Sequence, residues 1–111
     1  MKCIYVAGPL NAPACSYIEN VHAMIQQADR IRRLGYAVLV PCQDILTGLV
    51  MGNLTYQDYF ENNLAWLEKA DAVFLCKGWE GSEGCKREAA RARELGIPIY
   101  TNIMELVGRG K

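Results

Sequence analysis

Short apolar runs alternate along this chain with longer segments whose apolar positions recur every three or four residues. The runs are residues 3–7 (C-I-Y-V-A), 36–40 (Y-A-V-L-V), 71–76 (D-A-V-F-L-C) and 97–100 (I-P-I-Y). Each is short and apolar enough to be a strand covered on both faces, as in a parallel sheet. Between the first two, Ile18, Val21, Ile25, Ala28, Ile31 and Leu34 recur at helical spacing from a start at Cys15 or Ser16, and Gly35 closes the helix. The other face of that helix, with Gln26, Gln27, Asp29, Arg30 and Arg33, reads as solvated. Thr55-x-x-Asp58 resembles a capping box, and Tyr59, Phe60, Asn63, Leu64 and Leu67 give the next helix an inward stripe. A third helix is predicted in the Ala/Arg/Glu-rich segment that Gly96 and Pro98 stop.

Strand and helix therefore alternate from end to end. The pattern predicts an α/β three-layer sandwich, Rossmann- or flavodoxin-like, with a four- to five-stranded parallel sheet and right-handed crossovers. At 111 residues the chain, 1–111, reads as a single domain. Residues 42–53 carry no clear period and read as a lid or a short irregular helix. An apolar tail, 103–107, precedes an ending that reads as frayed. In such folds ligands bind outside the carboxyl ends of the strands. Here those ends are residues 8–11, 42–44, 78–84 and 101–102, polar stretches rich in Gly and Pro, and one site is expected from all of them.

Composition narrows the partners. The chain is 51% hydrophobic and 22% charged with zero formal net charge. A balanced charge argues against nucleic acid as a partner, because neutralising phosphates needs surplus Lys and Arg. The first apolar run is too short for a signal peptide or a membrane span, so no membrane is expected. Five cysteines, an odd set without a C-x-x-C pair, argue against a disulfide framework or a zinc site and point to a reducing cytoplasm. Cys3 and Cys76 read as small apolar fillers inside strands. No metal or cofactor is expected.

The candidate chemistry concentrates in residues 78–98, G-W-E-G-S-E-G-C-K-R-E-A-A-R-A-R-E-L-G-I-P. A glycine-rich turn leads from strand to helix, and its unpaired N–H groups can hold an anion. Ser82, with Gly81 and Gly84, can help surround a phosphate, although a plain N-cap explains it equally. The loop is neither a G-x-G-x-x-G fingerprint nor a Walker A loop. Glu88 falls a turn inside the helix, near its partially positive end, which would keep the carboxylate ionised as a nucleophile requires. An ordinary helix glutamate paired with Arg91 is the alternative. Tyr5, in a buried strand, needs a partner for its hydroxyl and can donate to a carboxylate. Trp79 at the loop is placed to stack on a base, whereas Trp66 is expected in the core. Asp71 reads as a cap on the preceding helix, and His22 as structural on a mainly apolar face. The cluster Lys86, Arg87, Arg91 and Arg93 reads as a solvated face. Cys85 is a nucleophile candidate without an obvious base.

Three pieces in order resemble the nucleoside 2-deoxyribosyltransferase superfamily: I-Y-V-A-G-P-L (4–10), A-D-A-V-F-L (70–75), and S-x-G-x-x-x-E with the ending A-x-x-L-G-I-P (82–98). Within it the chain is similar to small DUF4406-like members and to the deoxynucleoside 5′-monophosphate N-glycosidase branch. Residues 41–59 have no counterpart. The resemblance implies a glutamate nucleophile, Glu88, attacking C1′ of a 2′-deoxynucleoside or its 5′-monophosphate, with Tyr5 orienting it. Transfer to a base or to water follows, with retained configuration. Gly8, Pro9, Leu10 and Asn11 would line the sugar or phosphate side, and Ser82 and Gly84 would hold a 5′-phosphate. Where the family carries an aspartate the chain reads Asn62-Asn63; an amide cannot act as a general acid. Base protonation would fall to Asp58, Asp44 or water. The resemblance further implies a homo-oligomer, dimer or tetramer, and the apolar tail would supply pairing surface. Two rivals stay open: a non-catalytic nucleotide-binding module and a hydrolase using Cys85.

Overall fold

The computed structural model describes residues 1–9, 14–41, 50–52 and 55–109, and all their side chains except those of 14–16 and 56. Along them run β1 (Cys3–Ala7), α1 (Ala14–Arg33), β2 (Ala37–Leu39), α2 (Tyr56–Leu67), β3 (Ala72–Leu75), α3 (Glu83–Glu94) and β4 (Ile99–Tyr100). Short 3-10 turns occupy Trp79–Gly81 and Ile103–Leu106. The four strands form one parallel sheet in the order β2-β1-β3-β4. The predicted α/β architecture is therefore the observed one.

β1 lies at the centre and determines what each face of the sheet carries. Its side chains alternate, as a strand's must. Ile4 and Val6 join Met24, Ala28 and Ile31 of α1 on one face. Tyr5 and Ala7 join Leu67 of α2 and Cys85, Ala89 and Ala92 of α3 on the other. Register is held at the strand starts by Asp71. Its carboxylate accepts from the Cys3 N–H at 2.7 Å, and its own N–H donates to the Cys3 carbonyl at 2.8 Å. Asp71 thus ties β1 to β3 and does not cap the preceding helix, as the sequence had suggested. A neighbouring strand start offers it a backbone donor.

The α1 stripe is rotated from its predicted phase. Met24, Ala28 and Ile31 are buried, with Val21 and Leu34 partly so, whereas Ile18 and Ile25 are exposed. On a helical wheel Ile18 and Ile25 fall roughly a quarter to a third of a turn from the centre of the buried set. His22 is exposed too. Trp66 is 55% exposed, not core, because Leu64 and Leu67 occupy the inward face of α2. Cys3, at the first position of β1, is exposed and fills no interior space.

The ends of the helices follow the expected chemistry. Thr55 and Asp58 form a reciprocal capping box at the start of α2. α3 stops at Gly96 (φ +71°) in a Schellman arrangement: Ile97 N–H donates to the Ala92 carbonyl and Gly96 N–H to that of Arg93. In the tail, Leu106 is fully buried against α1 and β1, and its carbonyl accepts from the Tyr36 hydroxyl at 2.7 Å. Ile103 packs beside it, so half of the apolar tail completes the chain's own core; Met104 and Val107 stay exposed.

Gly8, directly after β1, threads between α1 and β3. A Cβ there would meet Met24 Cγ at 2.9 Å and Cys76 Cβ at 3.1 Å. Gly8→Ala is therefore expected to destabilise the domain by about 1–3 kcal/mol through overpacking. The check is a urea midpoint that falls with an unchanged slope.

Candidate active site

The site is set by how closely α3 lies on the sheet. Cys85, Ala89 and Ala92 are small and buried, so the helix axis can approach the face that carries Tyr5. Gly78, at φ +90°, makes the turn out of β3 that a side chain would strain. Ser82 then fixes where the helix begins: its Oγ accepts from the Cys85 N–H at 3.3 Å, an N-cap geometry. With that start, Glu88 falls over β1. The Tyr5 hydroxyl, wholly buried, donates to Glu88 Oε2. Residues 83 positions apart thus meet in one hydrogen bond.

Glu88 does not pair with Arg91, whose guanidinium instead meets Glu68 at 2.6 Å and Glu94 at 3.0 Å. Among the described residues no cation reaches the Glu88 carboxylate. Burial pushes its pKa up to about 7, and the Tyr5 hydroxyl pulls it part of the way back. The sequence had suggested a carboxylate held ionised by the helix end. Desolvation outweighs that dipole, and near neutral pH both protonation states are populated. Burial likewise lifts the Cys85 thiol to about 11, with the nearby Glu88 adding to the rise. A thiol protonated at neutral pH and buried under α3 is no nucleophile, which removes the cysteine hydrolase reading.

The other sequence candidates scatter. Trp79 is half-buried and packs against the core on the Tyr5 face. Gly84 lies in the first turn of α3. Asn63 is half-buried on α2. Asp58 is exposed, and its carboxylate is engaged by the Thr55 N–H at 2.8 Å in the capping box. Pro9 approaches to 3.4 Å of the place a Cβ would take on Gly78, so the loops after β1 and β3 touch. Leu10, Asn11 and Asp44 lie outside the described residues. Three of the strand ends, those of β1, β3 and β4, meet at one groove, and it is not where Tyr5 and Glu88 meet. Pro9, Lys77 and Thr101 border a groove on the α1 side of the sheet, while Tyr5 and Glu88 meet on the other side. Asn20, Gln27 and Arg30 of α1 also line that groove; their spacing of seven and three along one helix face was the signal available in the sequence.

Among the described residues no group of three or more His, Cys, Asp or Glu is placed to hold a metal ion. No helix there is long and apolar enough to cross a membrane.

The raised Glu88 pKa has a sign that stability can test. The folded state holds the proton more tightly than the unfolded chain, so stability falls as pH rises from the ordinary carboxylate range to about 7. Glu88→Gln removes that dependence. It should match the wild type near pH 5 and exceed it near pH 8 by roughly 2–3 kcal/mol, read by urea denaturation at the two pH values.

Two comparisons place the fold. In a solved structure, the 2-deoxyribosyltransferase from the psychrotolerant bacterium Bacillus psychrosaccharolyticus is similar to this chain with a TM-score of 0.64 and 23% identity. The match covers 92% of this chain and 78% of that one. No curated protein matches. The family model described as "Domain of unknown function (DUF4406)" matches residues 2–101. The chain spans nearly all of its length within that match and belongs to the DUF4406 family.

Proposed function

We propose that the chain cleaves the N-glycosidic bond of 2′-deoxynucleosides or their 5′-monophosphates, with Glu88 as nucleophile and Tyr5 as the group that orients it. The observation that carries this reading is the hydrogen bond from the buried Tyr5 hydroxyl to Glu88. The named structural relative, a 2-deoxyribosyltransferase, supports the substrate class.

Tyr5 engages Oε2, which leaves Oε1 as the attacking atom. The Glu88 oxygen bonds to C1′ as the C1′–N bond breaks and its electron pair leaves with the base. The base takes its proton from water or from Asp44, because Asn63 has none to give as an acid and Asp58 is held in its cap. Water, or a second base, then attacks C1′ and frees the carboxylate. Two displacements return the original configuration. Ser82 and Gly84, at the start of α3, stand where a 5′-phosphate would meet the helix N–H groups. That placement favours a monophosphate substrate and hydrolysis.

Chromatography of a panel of deoxynucleosides and deoxynucleotides, with and without an added base, tests the reading. Free base should appear, and Glu88→Ala should lower its release on the order of a thousandfold or more. An active alanine variant rules out this nucleophile. Saturable binding by calorimetry without base release favours a nucleotide-binding module instead.

The nucleophile must be ionised, so kcat/KM should climb about tenfold per pH unit below its pKa and level off above about 7. Tyr5→Phe removes a donor to the charged form, and the inflection should move to higher pH.

A further inference from the structure

The groove on the α1 side of the sheet plays no part in the chemistry above. It holds about 270 Å³ at the carboxyl ends of β1, β3 and β4. Its apolar floor is built from Met24 and Phe74, both buried in the α1-side core, with Cys76 beside them. Its rim carries Arg30 and Lys77 as cations and Asn20, Gln27 and Thr101 as neutral hydrogen-bonding groups. No acidic residue lines it among the described residues.

The two groove cations are without ion pairs, unlike Arg32, Arg33, Lys86 and Arg91. Arg32 and Arg33 share Asp29, Lys86 meets Glu83, and Arg91 takes Glu68 and Glu94. Arg30 donates only to the amide oxygen of Gln27, at 3.1 Å, and neither it nor Lys77 forms an ion pair among the described residues. Gln27 in turn holds the guanidinium at the groove. The carboxylate next to the groove, Glu105, accepts from the Thr101 and Asn102 N–H groups at 3.4 and 3.1 Å and pairs with neither cation. In a protein of zero formal net charge, two cations over an apolar floor, without ion pairs among the described residues, make a local positive field. Such a field attracts an anion. The floor, by contrast, suits a flat apolar body.

We propose that this groove is a second binding site, for a small heterocyclic phosphate. The ring system would lie over Met24 and Phe74, and the phosphate between Arg30 and Lys77. The site stands on the opposite face of the sheet from Tyr5 and Glu88, and it does not depend on the glycosidase reading.

Backbone amide chemical-shift mapping by NMR tests it, with adenosine 5′-monophosphate, adenosine and inorganic phosphate as separate probes. The monophosphate should shift the amides of Ala23, Gln27, Lys77 and Thr101 saturably, and bind more tightly than either fragment. The Arg30→Gln/Lys77→Gln double variant, altered only at exposed side chains, should bind it at least about tenfold more weakly. In Glu88→Gln the groove shifts should persist with affinity within about twofold of wild type. Added salt should weaken the interaction, as for exposed charges. Three results overturn the proposal: no shifts at the groove amides, undiminished binding in the double variant, or groove shifts lost with Glu88→Gln. Inorganic phosphate binding as tightly as the monophosphate overturns the role given to the apolar floor. Base release by the wild type, assayed separately, bears on the Glu88 reading alone.

Discussion

The hydrogen bond from Tyr5 to Glu88 links the centre of the sheet to the helix above it. Tyr5 stands on the central strand, flanked by β2 and β3, and its hydroxyl reaches Glu88 only because α3 lies close on that face. The closeness is a matter of side-chain size: Cys85, Ala89 and Ala92 put little volume between helix and sheet. Larger residues at those positions would lift the helix and separate the pair. The same closeness strips water from Glu88, so one packing feature supplies both its partner and its raised pKa.

That coupling explains the electrostatic character of the site. A glutamate at an exposed helix start is stabilised in its charged form by the helix end. Here desolvation is the larger effect, and a neutral donor is the partner instead of a cation. The carboxyl is therefore poised near neutrality, where both of its protonation states are populated. Cys85, one turn earlier on the same helix, is pushed toward its neutral form for the same reason and is left as packing.

The two faces of the sheet divide the polar chemistry. The α3 side carries a partly buried carboxyl and a phenol; the α1 side carries cations without ion pairs among the described residues, and amides, over an apolar floor. Contact between Pro9 and Gly78 joins the loops of β1 and β3 where the two sides meet. Parallel strands produce this division, because every carboxyl end lies on the same edge and successive residues leave it toward opposite faces.

Much of this was readable from residue order alone. The four strands, three of the helices, the Thr55–Asp58 cap and the Gly96 stop follow from periodicity and turn chemistry, which act over a few residues. Glu88 and Tyr5 were each visible as candidates. Their meeting was not, since a contact across 83 positions depends on strand order and helix height, which local pattern does not encode. The rotation of the α1 stripe away from Ile18 and Ile25, the exposure of Trp66 and the service of Asp71 to Cys3 were decided in the same way, by which neighbour each face met. The sign of the Glu88 shift was tertiary too: helix position is a property of sequence, whereas desolvation is set by everything packed around it.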